Sequence, residues 1–108
     1  MTRYLLIESR DPFESRSFST RCELAADLSR DGSEVTLILV ENGVFAARRR
    51  AATREVDAAA RAGVSVLADE FALRERGIVG AELASGIAAV NLEQVVQELL
   101  AGARTLWN

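Results

Sequence analysis

The stretch from Glu34 to Val44, EVTLILVENGV, constrains the fold more than any other. Within it, Val35-Thr36-Leu37-Ile38-Leu39-Val40 is a near-continuous run of apolar and β-forming residues with no alternation. A strand with no polar face is buried on both sides. It needs a layer above and a layer below, usually helices. Glu41-Asn42-Gly43 then makes an abrupt turn, because Asn and Gly both tolerate positive φ. After the turn the pattern becomes helical. A strand–turn–helix unit of this kind puts polar groups at the strand's carboxyl end, where open α/β sheets place their sites.

The rest of the chain repeats the theme. Arg3 to Glu8, RYLLIE, reads as a first strand, and Ser9 to Ser17 holds the chain's only Pro and reads as a loop. A helix is predicted from Ser17 or Ser19 to about Arg30, with Phe18, Cys22, Ala25 and Ser29 on one face and Leu24 and Leu28 beside them. A second, Ala-rich helix is predicted from about Val44 to Ala62. Val64 to Ala68 reads as a third strand. Asp69 to Arg76 reads as a short helix that Asp69 caps. Ile78 to Ser85 reads as irregular, and Gly86 to Val90 as a fourth strand. Asn91 caps a final helix whose Leu92, Val95, Val96, Leu99 and Leu100 have core-facing spacing. Arg104 to Trp107 is a fifth strand or a docked tail.

Strands alternating with helices predict a three-layer α/β/α fold around a mainly parallel sheet of four or five strands. Right-handed crossovers then place helices on both faces. The length of 108 residues fits one domain over residues 1–108. The chain has no His, which removes Ser–His and Cys–His catalysis and argues against a typical zinc site. A single Cys excludes an internal disulfide and fits a reducing compartment. Met1-Thr2-Arg3 leads straight into a strand, without the apolar region of a signal peptide. No apolar run approaches the ~20 residues that span a bilayer. The expected location is the cytoplasm, with no membrane contact.

Candidate chemistry is sparse. Three loops should meet at the carboxyl edge of the sheet: Ser9–Ser17, Glu41–Val44 and the turn at Asp69. They bring Asp11, Glu14, Glu41, Asn42, Gly43 and Asp69 to a candidate pocket edge. Carboxylates gathered there suit acid–base work or Mg²⁺, yet they match no metal motif and also suit solvated loop and cap positions. Gly43 at a strand–helix turn suggests a small-anion or metabolite site, but no GxGxxG or Walker pattern follows it. No cofactor is implied. Cys22 is the only soft nucleophile and the candidate catalytic residue, one turn into the first helix. Its face, shared with Phe18 and Ala25, equally describes a small buried core residue. Arg48-Arg49-Arg50 with Arg54 invites a nucleic-acid reading. Consecutive residues spread around a helix, however, and the net charge is −3, so a solvated helix or a subunit contact is expected instead. Trp107 either folds back onto the domain or inserts into a neighbouring subunit.

Two stretches together resemble the DsrE/DsrF/DsrH family of small sulfur-relay proteins. VTLILVENGVFAA, Val35 to Ala47, resembles that family's strand, its Asp-Gly-Val turn and the start of its second helix, with Asn42 in place of the usual Asp. Val64 to the end, with its Arg76-Gly77-Ile78 step and Trp-containing C-terminus, is most similar to the DsrH (TusB-like) branch. The resemblance implies a flavodoxin-like or YchN-like fold. It implies homotrimers, or hexamers built from like or related subunits. It also implies service to sulfur-carrier proteins that relay persulfide sulfur toward tRNA thiolation or sulfur oxidation. The active Cys of the sulfur-carrying branch lies just after strand three, where this chain reads Ala68-Asp69-Glu70. The implied role is a partner subunit without that cysteine. The alternatives are a sulfurtransferase that uses Cys22 as persulfide acceptor, or a small-molecule binding module at the sheet edge.

Overall fold

A computed structural model describes residues 2–49 and 54–108. Five strands, β1 (Arg3–Glu8), β2 (Glu34–Leu39), β3 (Ser65–Asp69), β4 (Ile87–Val90) and β5 (Arg104–Trp107), form one sheet. The order is β4-β3-β2-β1-β5, and every pair is parallel. Among the described residues four α-helices connect them: α1 (Arg16–Arg30), α2 (Arg54–Arg61), α3 (Glu70–Glu75) and α4 (Leu92–Leu100). This is the expected three-layer architecture, and the fifth strand is present.

The topology explains which face each helix covers. From β1 to β4 the chain always steps to the same side, so right-handed crossovers put α1, α2 and α3 on one face. From β4 it returns past β1 in the opposite direction, which puts α4 alone on the other. Side-chain alternation divides the core accordingly. Leu6, Leu37, Leu39 and Val66 meet Phe18, Cys22 and Ala25 of α1, Val56 and Ala59 of α2, and Leu73 of α3. Leu5, Ile7, Ile38 and Val40 meet Leu92, Val95 and Val96 of α4. A nine-residue helix is roughly 14 Å long and cannot cover five strands spaced about 4.8 Å apart. Ala88 of β4 and Thr105 of β5, which pair with Leu67 and Leu5 on that face, remain exposed.

Three expectations change. Helix α1 starts at Arg16 with Ser15 at its N-cap, ahead of the expected Ser17 or Ser19. The hydroxyls of Ser15 and Ser17 bond each other at 2.6 Å instead. The second helix does not begin at Val44: Glu41–Ala47 is a 3₁₀ helix, and Arg48 forms an antiparallel bridge with Leu83. The Ala84 amide donates to the Ala47 carbonyl at 2.8 Å, strapping this segment to the 80–84 loop. Residues 50–53 of the expected helix, including Arg50, lie outside the described residues, and α2 is described from Arg54. On α4, Leu100 is exposed rather than buried, and the Leu99 side chain lies outside the described set. Among the described residues no helix is long and apolar enough to cross a membrane.

Candidate functional site

Strand β1 ends at the carboxyl edge on Glu8, whose side chain is only 1% exposed. Asn108 holds it there. The Asn108 Nδ2 donates to Glu8 Oε1 at 3.0 Å and Oε2 at 2.8 Å, and lies 3.1 Å from Ser17 Oγ. The Asn108 backbone continues the β1–β5 ladder, donating to the Ile7 carbonyl and accepting from the Ser9 amide, both at 2.8 Å. Ser9 Oγ donates to the same Asn108 carbonyl at 2.8 Å. Burial pushes the Glu8 carboxyl above its usual range, while the Asn108 hydrogen bond and then the Arg21 charge oppose the rise.

The turn after β2 is moulded onto the same point. The Val40 amide donates to the Glu8 carbonyl at 2.9 Å, and the Gly43 amide closes back on the Val40 carbonyl at 2.8 Å. A Cβ on Gly43 would sit 2.3 Å from the Glu8 carbonyl oxygen, so only glycine fits. Positive φ was expected of Asn42 or Gly43, but Glu41 carries it, at 48°. Gly43 is needed for close approach, not for a left-handed turn. Asn42 Oδ1 accepts from Arg76 Nε at 3.2 Å and Nη2 at 3.0 Å, which ties the turn to the end of α3.

Above this floor lies a concavity of about 590 Å³ that includes Asp11, Glu14, Glu41, Asn42 and Asn108. The fold places Asp11, Glu41 and Asn42 around this one hollow, with Gly43 buried beneath them. Among the described residues that line it, Arg10 is the one guanidinium beside the carboxylates of Asp11, Glu14 and Glu41, so the cavity disfavours an anion. Asp11 Oδ1 is already committed to the Phe13 amide at 2.8 Å, a loop-shaping role. Asp69 stands apart. It lines a second hollow of about 580 Å³ between α3 and α4, with Ile7, Phe71, Leu92 and Val96. Its carboxylate accepts from the Phe71 amide at 3.2 Å and caps α3. Trp107 borders both hollows and is 65% exposed. Among the described residues no three His, Cys, Asp or Glu side chains are grouped to hold a metal ion.

Cys22 is fully buried on the inner face of α1. Burial, reinforced by the negative charges of Glu8, Glu55 and Glu23, pushes its thiol pKa up to about 12. Thiolate chemistry needs access and ionisation, and this environment supplies neither. The pairing of Glu8 with Asn108 and that of Arg76 with Asn42 are what sequence reasoning missed. A carboxylate closing an apolar strand is a signal for Glu8. Asn108 carries no local signal, because its role depends on contacts across the whole chain.

No family model matches the chain, and no curated protein matches it in sequence. Solved structures do. The ychN protein from E. coli superposes with a TM-score of 0.89 at 20% identity over all of both chains. MTH1491 from Methanobacterium thermoautotrophicum, a protein of unknown function, gives 0.79 at 21% identity, again over all of both chains. BT1422 from Bacteroides thetaiotaomicron, a conserved protein of unknown function, gives 0.80 at 17% identity over 98% of this chain and 94% of that one. At these identities the likeness is one of architecture, and the chain has a YchN-like α/β fold.

Proposed function

We propose that this protein is a partner subunit of a cytoplasmic sulfur-relay complex, one without a sulfur-carrying cysteine of its own. The observation that carries the reading is the residue at the end of β3. The resembled family's sulfur-carrying branch has its cysteine just after that strand. Here Asp69 occupies the strand end, and its carboxylate is spent on capping α3. The chain's one thiol is buried elsewhere with its pKa raised. The YchN-like fold is compatible with the resemblance. On the sheet face covered only by α4, Ala88 of β4 stays exposed beside Leu67, which leaves room there for like or related subunits in a trimer or hexamer.

The test is intact mass spectrometry of the folded protein after treatment with a persulfide donor, alongside its mass in solution. The expected result is no sulfur adduct on the folded chain, ready modification of Cys22 after unfolding, and an oligomer. An adduct on folded Cys22 that transfers to an acceptor thiol would replace this reading with the sulfurtransferase one. A stable monomer at micromolar concentration would count against the subunit role.

A further inference from the structure

Phe45, on the 3₁₀ helix, is half-buried and shares its ring between two arginines. The Arg48 guanidinium carbon lies 5.1 Å from the ring centroid and that of Arg76 lies 5.8 Å from it. Both guanidiniums are fixed by uncharged acceptors. Arg48 Nε donates to the Phe45 carbonyl at 3.3 Å. Arg76 gives Nε and Nη2 to Asn42 Oδ1, and Nη1 to the Ala72 carbonyl at 3.2 Å. Arg49, exposed beside them, donates through Nη2 to the Ala81 carbonyl.

Ion pairing in the described residues goes elsewhere. It joins Arg3 to Glu34, Arg30 to Asp27 and Arg61 to Asp57, and leaves Arg48, Arg49 and Arg76 without a carboxylate. A guanidinium has five N–H donors, so these bonds leave four unspent on Arg48, four on Arg49 and two on Arg76. A flexible surface arginine loses rotamer freedom when it binds. Arg48 and Arg76 have already lost much of it to the ring and the backbone, so an incoming carboxylate meets preordered forks. The charges sit on separate residues around one ring, which suits several carboxylates along a chain better than one small ion. The net charge of −3 disfavours a nucleic-acid strand.

We propose that Arg48, Arg76 and the ring of Phe45, with Arg49 at the rim, form a docking surface for a Glu- or Asp-rich segment of a partner protein. This names the chemistry of the partner in the reading above and rests on it only for the existence of a partner.

The experiment is fluorescence anisotropy of a dye-labelled oligoglutamate peptide titrated with the full chain, at low and high salt. The expected result is saturable binding that weakens as salt screens it. The Arg48→Gln/Arg76→Gln double variant should bind at least roughly tenfold more weakly, with the circular dichroism of the folded parent. Arg16→Gln, at an exposed position on α1, should bind as the parent does. If the double variant fails to fold, Arg48→Lys and Arg76→Lys, which keep the charge and lose the fork, should each weaken binding several-fold. Absence of peptide binding by the folded parent overturns the proposal. So does equal binding by the variants, tighter binding of an oligothymidylate, or binding of inorganic sulfate alone. The assay involves no sulfur transfer. Its failure leaves the partner-subunit reading standing, and a persulfide on folded Cys22 would remove that reading while leaving the docking surface.

Discussion

The side-chain amide of Asn108 donates to both oxygens of Glu8, across 100 positions of sequence. One edge strand, β5, is thereby fastened to a buried carboxylate at the end of its interior neighbour β1. For Asn108→Ala we expect a loss of about 1–3 kcal/mol, because the Glu8 oxygens lose their side-chain donor while still buried. Hydrogen exchange locates the effect: amides of Arg104 to Trp107 should exchange faster, and those of β3 should not change.

Glu8 also sets a pH dependence. Its folded pKa is raised above the 4.5 of an ordinary glutamate, so the folded chain holds the proton more tightly than the unfolded one. The stability it contributes is fully present below 4.5 and is lost as pH rises through the folded value. Glu8→Gln should flatten that part of the stability–pH curve and be at least as stable as the parent at pH 7. Urea midpoints between pH 4 and pH 8 test this. A Gln variant that is clearly weaker at pH 7 would mean that the hydrogen bonds of the charged form outweigh its desolvation.

Gly43 and Gly80 make a matched pair. A methyl at Gly43 meets backbone at 2.3 Å, which has no flexible end to move aside. Gly43→Ala should cost about 3 kcal/mol. At Gly80 nothing lies within 4 Å, so the same change should stay within about 0.5 kcal/mol of the parent or stabilise slightly. Chemical denaturation of the two variants decides whether the turn's close approach to Glu8 matters as described.

Cys22 should be silent in the folded protein. DTNB at neutral pH is expected to leave it unmodified until denaturant is added. Its thiol pKa moves from 9.0 to about 12 on folding. The folded state therefore keeps the proton that the unfolded state gives up, and Cys22 loses its stabilising contribution as pH rises from 9.0 towards 12. Cys22→Ala should remove that alkaline slope. Cys22→Ser should cost about 1–3 kcal/mol, because it puts a hydroxyl among Phe18, Ala25 and Leu37.

Much of the architecture is written in local pattern. The unbroken run at Val35–Val40 announces a central strand, and β1 falls at the expected Arg3–Glu8 because apolar density alone marks it. The burial of Cys22 follows from its spacing to Phe18 and Ala25. What local pattern does not carry is anything decided by distant partners. Ala-rich sequence after Gly43 reads as α-helix. Gly43 is pinned to Glu8 and residues 47–48 are strapped to 83–84, and those contacts leave a 3₁₀ helix over Glu41–Ala47. Asp11, Glu41 and Asn42 converge as loop positions suggest. Asp69 goes to the other hollow because capping α3 turns it away. The Arg76–Asn42 and Asn108–Glu8 bonds have no sequence signature, since each pairs residues tens of positions apart.

The strand order has a consequence for biosynthesis. Strand β1 leaves the ribosome first, and one of its edges finds β2 about thirty residues later. Its other edge waits for β5, roughly a hundred residues on. From the synthesis of β1 until that of β5 the nascent chain therefore carries a half-finished interior strand, with Leu5 and Ile7 lacking α4 and Glu8 lacking Asn108. Such late, long-range closure slows folding and leaves an open strand edge to be guarded. A stalled chain ending near Gly102 should be markedly more prone to chaperone capture than one extended past residue 108.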